Sequence, residues 1–177
     1  MIELVSRLDG LVSNAGIVEF SPVDFITSEK LKKVFDINFS AGIELFEGLF
    51  SGDKFNDGAS VVFTSSVDGN YCFTQGNAVY SASKAALNEY VRRSALKAAN
   101  KNIRVNCVCP GMIETNLLRN NKSLTPEILQ EDAKKYPLKR YGKPEEVAAG
   151  IIYLLSGASS YVTGTDLIID GGISIKH

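Results

Sequence analysis

The feature that most constrains the fold is a regular alternation between short apolar stretches and longer helix-forming stretches. Four stretches have the apolar, β-branched composition of buried strands: residues 8–16, 59–66, 103–111 and 165–172. Helical signals occupy the segments between them, at residues 27–50, 78–100 and 144–157. Nearly continuous apolar strands separated by helices are typical of a parallel sheet covered on both faces. The pattern predicts an α/β fold, a three-layer doubly wound parallel sheet, and one domain over residues 1–177.

The first helical segment has apolar residues at three- and four-residue spacing, which indicates an amphipathic helix with Thr27 or Ser28 as its N-cap. The stripe consists of Leu31, Val34, Phe35, Asn38, Gly42, Leu45, Phe46 and Leu49. Asn38 is the anomaly in this stripe, because a buried amide needs hydrogen-bond partners. Two interpretations stay open: a relay that holds a water for proton transfer, or a structural amide bonded to local backbone. Spacing alone favours the structural interpretation.

Charge and histidine content exclude several classes of function. A formal net charge of −1 offers no electrostatic argument for a nucleic-acid partner. The single histidine is His177, the last residue, so histidine-based hydrolases and histidine-bearing metal sites lack an essential group. We therefore expect no metal site, and any proton chemistry must use Tyr, Lys, Asp, Glu or Ser.

The apolar segments and the cysteines favour a cytoplasmic protein. No apolar run reaches the roughly 18–20 residues that span a bilayer, so we expect no membrane partner. Residues 1–10 lack the basic start and apolar middle of a signal peptide. Cys72, Cys107 and Cys109 show no metal-binding spacing, and Cys107 and Cys109 alternate as two residues on one face of a buried strand. Reduced thiols packed as small apolar groups are the simplest interpretation.

Polar residues gather where the predicted strands end. Ligands of open α/β sheets bind outside the carboxyl ends of the strands. Those ends carry residues 14–16, 65–66 and 110–111, and Tyr80 and Lys84 begin the helix that follows the second of them. Because Tyr80 and Lys84 are about one helical turn apart, they share a face and can converge on one point. The sequence thus predicts a Ser, a Tyr and a Lys at one rim of the sheet.

A Ser-Tyr-Lys group suits the reversible reduction of a carbonyl, with Tyr80 giving a proton to the developing alkoxide and Ser66 holding the carbonyl oxygen. A free phenol has a pKa of about 10, so acid–base work near neutrality requires a fall of about 2–3 units, or about 3–4 kcal/mol. An ammonium about 4 Å away supplies about 1 kcal/mol in water and about 4 kcal/mol at an effective dielectric near 20. Lys84 is therefore a sufficient partner only in a dry site.

Five motifs in order resemble the short-chain dehydrogenase/reductase family. They are SNAG at residues 13–16, SS at 65–66, YSASK at 80–84, PGMIET at 110–115 and RYGKPEEVAAGIIYLLSGASSYVTGTDLIIDGG at 140–172. The resemblance runs from residue 7 to residue 175 and is to the single-domain branch, which has a Rossmann-like doubly wound sheet.

The resemblance implies a role for each matching residue. Tyr80 matches the catalytic acid/base, Lys84 the residue that lowers its pKa and binds the nicotinamide ribose, and Ser66 the hydroxyl that orients the substrate. Asn38 matches the residue that completes the catalytic tetrad. The implied cofactor is NAD or NADP, and its remaining contacts match Asn14, Ala15, Gly16, Pro110, Gly111, Ile113 and Thr115. Residues 116–141 match a mobile lid over the substrate, and residues 170–172 match a structural turn.

The sequence departs from the family pattern in two ways. Ser66 and Tyr80 are fourteen residues apart rather than thirteen, which leaves open whether Ser65 or Ser66 points inward. No Gly-x-x-x-Gly-x-Gly turn occurs in the sequence, and residues 1–16 resemble the approach to the family's fourth strand. We therefore expect an N-terminally truncated fold, weak or absent binding of NAD or NADP, and an unpaired edge at the first strand. A start codon assigned too late is one explanation.

Two functions follow from the resemblance. The first is an NAD(P)-dependent oxidoreductase that interconverts a carbonyl and an alcohol, similar to 3-oxoacyl-carrier-protein reductases and to sugar, steroid and polyol dehydrogenases. The second is a catalytically inactive family member that acts only as an interaction partner. In family dimers the helices that match residues 27–50 and 78–100 pack together, so the resemblance implies a homo-oligomer or pairing with relatives.

Overall fold

A computed structural model describes residues 6–115 and 125–176, which form a four-stranded sheet with strand order β1-β2-β3-β4. All neighbouring strands are parallel. The strands are β1 (Leu8–Ser13), β2 (Phe55–Thr64), β3 (Arg104–Pro110) and β4 (Asp166–Ile169). The α-helices are α1 (Ser28–Phe35), α2 (Ala41–Ser51), α3 (Ala78–Ala98), α4 (Pro126–Ala133) and α5 (Pro144–Leu155). In the described ranges, no helix is long and apolar enough to cross a membrane.

Helices cover both faces of the sheet. Because successive side chains of a strand point to opposite faces, β2 sends Phe63 to one core and Val62 to the other. Phe63 packs in a cluster with Phe46 of α2 and Val91 of α3. Val62 packs on the other face with Leu154 of α5. This arrangement confirms the predicted three-layer α/β fold.

The helix predicted over residues 27–50 is interrupted by a π-helical turn at Asp36–Ser40, which separates α1 from α2. Thr27 is the N-cap, and its hydroxyl accepts from the Lys30 amide at 3.3 Å. Val34 and Phe46 of the predicted stripe are fully buried, whereas Leu31 and Leu45 are more than 40% exposed. The stripe is wider than the face that meets the sheet, so periodicity overestimates the buried set.

Other boundaries shift by a few residues. β1 ends at Ser13, because residues 14–16 leave the sheet as an exposed turn. β2 begins four residues before the predicted start, at Phe55. The polar stretch after β3 contains α4, capped by the Thr125 hydroxyl, which accepts from the Ile128 amide at 3.3 Å. Residues 116–124 of the predicted lid lie outside the described residues. β1 and β4 are the edges of the sheet built by the described chain.

Candidate active site

The two serines after β2 have different surroundings. The Ser65 hydroxyl donates to the backbone oxygen of Lys84 at 3.2 Å and so points to α3. The Ser66 hydroxyl accepts from the Asp68 amide at 3.2 Å and lies close enough to the Tyr80 phenol to lower the pKa of that phenol. The geometry therefore favours Ser66 as the inward-facing serine of the pair.

Tyr80 and Lys84 occupy the first two turns of α3, next to the end of β2. The Lys84 ammonium lies 5.9 Å from the centroid of the Tyr80 ring. It donates to the backbone oxygen of Thr64, the last residue of β2, at 2.8 Å. The side chain is almost fully buried, with Lys84 only 3% exposed. The structure thus brings together the three side chains that the sequence predicted at one rim.

Burial raises the pKa of Tyr80, the nearby Ser66 hydroxyl lowers it by less, and the Asp68 carboxylate raises it further. Burial also lowers the pKa of Lys84 to about 8. The expected fall in the Tyr80 pKa is therefore wrong for the protein by itself. Lys84 is buried and Tyr80 is partly buried, and desolvation disfavours the phenolate more than its neighbours favour it.

Asn38 lies in the π turn and is buried. Its side-chain oxygen accepts from the Ile17 amide at 2.7 Å, and its nitrogen donates to the Ile17 oxygen at 2.9 Å. The same nitrogen donates to the Ser83 hydroxyl at 3.2 Å. These contacts agree with the structural interpretation, although the backbone involved is distant in sequence. A Cβ at Gly16 would lie 3.4 Å from both the Asn38 oxygen and the Lys84 nitrogen, so Asn38 and Lys84 flank one point.

The predicted cofactor residues lie on either side of this centre. Asn14, Ala15 and Gly16 form the exposed turn after β1, where the Asn14 oxygen accepts from the Thr64 hydroxyl at 2.8 Å. β2 separates this turn from the segment that follows β3. All the predicted site residues described so far are therefore at the carboxyl end of the sheet.

The segment after β3 begins at Pro110 and is held by backbone pairing. The Gly111 amide donates to the Ile169 oxygen at 3.0 Å, and a Cβ at Gly111 would lie only 3.0 Å from the Cα of Asp170. Ile113 pairs with Gly142 in a parallel bridge, and the Thr115 amide donates to the Ile113 oxygen at 2.8 Å. A separate cavity of about 310 Å³ lies near α4, lined in part by Glu114, Leu129 and Tyr141.

Sequence reasoning missed Asp68. Its carboxylate accepts from the Thr74 hydroxyl at 2.6 Å and from the Asn77 side chain at 3.0 Å, within the loop that joins Ser66 to Tyr80. The available signal was an acidic residue two positions after the serine, in a loop one residue longer than the family's.

Comparisons with known proteins agree with this geometry. The sequence model of a family described as Enoyl-(Acyl carrier protein) reductase matches residues 1–174. A 3-oxoacyl-[acyl-carrier-protein] reductase of Thermotoga maritima is 37% identical over 176 residues, which cover 99% of this chain and 70% of the relative. A tropinone reductase homolog of Arabidopsis thaliana is 34% identical over 96% of this chain and 64% of its own length.

Solved structures match the fold closely. A short-chain dehydrogenase family protein from Francisella tularensis superposes with a TM-score of 0.90 at 34% identity, over 99% of this chain and 74% of that chain. An aldohexose dehydrogenase from Thermoplasma acidophilum has a TM-score of 0.86 at 29% identity, over 97% of this chain and 69% of that chain. The chain spans about two thirds of the length of the curated relatives it matches. By its sequence and its fold, the chain belongs to the short-chain dehydrogenase/reductase family.

Proposed function

We propose that residues 1–177 are a single catalytic domain that interconverts a carbonyl and an alcohol, with NAD or NADP as cofactor. The observation that carries this proposal is that the buried ammonium of Lys84 lies 5.9 Å from the centroid of the Tyr80 ring, with the Ser66 hydroxyl close to the same phenol. Bound NADH or NADPH would supply the hydride. The chain's own residues would position the carbonyl oxygen and transfer a proton to it.

Tyr80 is the acid/base in this proposal. Because burial raises its pKa, the phenol is protonated at neutral pH and is ready to donate in the reductive direction. The Ser66 hydroxyl, beside the phenol, would hold the substrate oxygen within reach of the Tyr80 proton. Removing water from such a site strengthens both hydrogen bonds, which favours the developing alkoxide.

The residues around Lys84 fit a dinucleotide. An ammonium has three donor hydrogens, and the bond to Thr64 engages one, which leaves capacity for the hydroxyls of a ribose. Glycine at position 16 keeps the approach to Lys84 open, since any side chain there would begin 3.4 Å from the ammonium nitrogen. Asn38 would hold the turn at residues 14–16 in place through its bonds to Ile17. The nicotinamide would be faced by Pro110, Gly111, Ile113 and Thr115. The sequence contains no glycine-rich phosphate turn, so we expect weak affinity from residues 1–177 alone.

The substrate class we propose to test first is a 3-oxoacyl thioester, because the Thermotoga maritima relative with that name is similar over 99% of this chain. Other relatives are named for different carbonyl compounds, including an aldohexose. A panel that contains a 3-oxoacyl thioester, a cyclic ketone and an aldose would separate these classes.

The test follows absorbance at 340 nm with the purified chain: oxidation of NADH or NADPH with the 3-oxoacyl thioester and the cyclic ketone, and reduction of NAD or NADP with the aldose, the substrate that a dehydrogenase would oxidise. We expect Tyr80→Phe to lower turnover by about 10²–10⁴-fold, the usual contribution of a positioned acid. Tyr161→Phe is the control, because Tyr161 is fully exposed. Turnover that survives in Tyr80→Phe would rule out the acid role. A folded chain with neither turnover nor fluorescence change on cofactor titration would rule out the enzymatic function.

A second function, an inactive interaction partner, is favoured by apolar side chains on the helices. Leu31 of α1, Leu45 of α2 and Leu96 of α3 are 44%, 42% and 73% exposed. Burial of such side chains against a second copy or a relative would stabilise a dimer. Light scattering tests this idea: a dimer that Leu96→Glu converts to monomer supports it, and a wild-type monomer contradicts it.

A further inference from the structure

Asp68 occupies a central position in the loop between Ser66 and Tyr80. Its amide donates to the Ser66 hydroxyl, and its carboxylate accepts from Thr74 and Asn77. Asn77 is the residue at the N-terminal cap of α3, three positions before Tyr80. One residue therefore connects the start of the loop, its middle and the beginning of the helix that carries Tyr80.

The contact with the Ser66 hydroxyl determines how that hydroxyl can act. A serine hydroxyl has one donor hydrogen and two acceptor lone pairs. Because the Asp68 amide points its hydrogen at the oxygen, the Ser66 hydrogen must turn away and donate elsewhere. The nearby partner is the Tyr80 phenol, or a substrate oxygen that takes its place. The backbone of Asp68 thus orients Ser66 as a donor toward the reacting oxygen.

The carboxylate of Asp68 also places a negative charge beside the phenol. In residues 6–115 and 125–176, Asp68 forms no ion pair, and its two side-chain hydrogen bonds come from neutral groups. The charge acts on Tyr80, Cys72 and Tyr136, and raises the pKa of each. The other charged or titratable groups that face Tyr80 are Lys84 on its own helix and Cys109 on β3.

We propose that Asp68 is a positioning residue for the reaction proposed above, on which this inference rests. Its carboxylate fixes the loop to the start of α3, so that Ser66 and Tyr80 keep their separation. The Asp68 amide directs the Ser66 hydrogen toward the substrate oxygen that would lie between Ser66 and Tyr80. Gly69 supports this arrangement, because a Cβ there would lie 3.1 Å from backbone atoms of α3 at Lys84 and Ala85, so any other residue would require the loop to move slightly away from the helix.

The test is a pH titration of Tyr80 by NMR in the full chain labelled with ¹³C at the tyrosine ζ carbon, with Tyr80→Phe used to assign the resonance. Asp68→Asn removes the charge but keeps the size and one acceptor oxygen. We expect Tyr80 to ionise at lower pH in Asp68→Asn than in wild type, because the nearby negative charge is gone. The matched control is Asp9→Asn, a carboxylate at the start of β1 that likewise accepts from a side-chain amide, that of Asn56, at 2.7 Å. Asp9→Asn should leave the Tyr80 titration unchanged.

The titration reports whether the loop holds the Asp68 carboxylate beside the Tyr80 phenol, as the positioning role requires; a carboxylate that holds the loop at a distance from the phenol would leave the Tyr80 titration unchanged. If Asp68→Asn does not unfold cooperatively, Asp68→Ser removes the same charge with a smaller acceptor and takes its place. A Tyr80 titration identical to wild type in the folded variant would overturn the inference. The titration needs no turnover, so the two proposals can fail separately. If the chain is active but Asp68→Asn does not shift the Tyr80 titration, only the role of Asp68 is contradicted. If the chain is inactive but the shift is present, only the proposed function is contradicted.

Discussion

Replacement of Lys84 by methionine tests how dry the candidate site is. Lys84 is 3% exposed, and burial lowers its pKa from the ordinary 10.5 to about 8. Each pKa unit corresponds to about 1.4 kcal/mol, so the buried charge destabilises the folded state by about 3 kcal/mol at pH 7. Methionine has a similar length and carries no charge. We therefore expect Lys84→Met to be more stable than wild type at pH 7, less the contribution of the lost hydrogen bond to Thr64.

The pH dependence separates the charge from that lost hydrogen bond. Below pH 8 both folded and unfolded chains carry the ammonium, and the full penalty applies. As pH rises toward 10.5 the folded chain becomes neutral first and then the unfolded chain, so the penalty disappears. At pH 10 about 0.8 kcal/mol of it remains. The difference in free energy of unfolding between Lys84→Met and wild type should fall by about 2.5 kcal/mol from pH 7 to pH 10.

The assay is urea unfolding of both proteins at pH 7 and pH 10, followed by circular dichroism. Lys97→Met is the control on the same helix, because its ammonium is more than half exposed in an ion pair with Glu47 at 2.9 Å. Such a pair contributes about 1 kcal/mol or less, so this variant should differ little from wild type at either pH. A difference for Lys84→Met that is equal at pH 7 and pH 10 would refute the argument, because it would mean that Lys84 keeps its ordinary pKa in the folded protein.

Two further substitutions test the frame around the site. Asn38→Ala should lower the free energy of unfolding by about 2–4 kcal/mol, because it leaves the part-buried backbone groups of Ile17 without partners. Asn56→Ala, at a partly exposed residue, should cost less than about 1 kcal/mol by the same urea assay. An equal loss for both variants would contradict the structural role of Asn38. Gly111→Ala should lower the thermal midpoint, because it places a Cβ 3.0 Å from Asp170 and so introduces a strain of about 1–3 kcal/mol. Gly157→Ala is the control, because a Cβ at that position meets nothing within 4 Å. An unchanged midpoint in Gly111→Ala would contradict the predicted strain, because it would mean that the backbone at the end of β4 moves away from the new Cβ at little cost.

Local patterns in the sequence were sufficient for the layered architecture and for the location of the site. The alternation of apolar strands with helices carries the period of each element, and parallel strands place their carboxyl ends at one rim. Tyr80 and Lys84 could be paired because one helical turn is a local distance. The N-cap at Thr27 is likewise encoded by its immediate neighbours.

Long-range contacts were beyond such patterns. The choice between Ser65 and Ser66 depends on where α3 lies, since Ser65 bonds to the backbone of Lys84. The π turn around Asn38 depends on Ile17, which is twenty-one residues away. The role of Asp68 depends on a loop whose ends meet only in the folded chain.

The protonation state of the site was decided by tertiary structure alone. Spacing shows that Tyr80 and Lys84 are neighbours, and proximity by itself suggests that the cation makes the phenol more acidic. The direction of the Tyr80 pKa reverses because the surrounding helices and strands bury Lys84 and partly bury Tyr80, so that both groups lose solvation. Desolvation depends on every atom packed around a charge, so it is a property of the assembled core and not of any local stretch of residues.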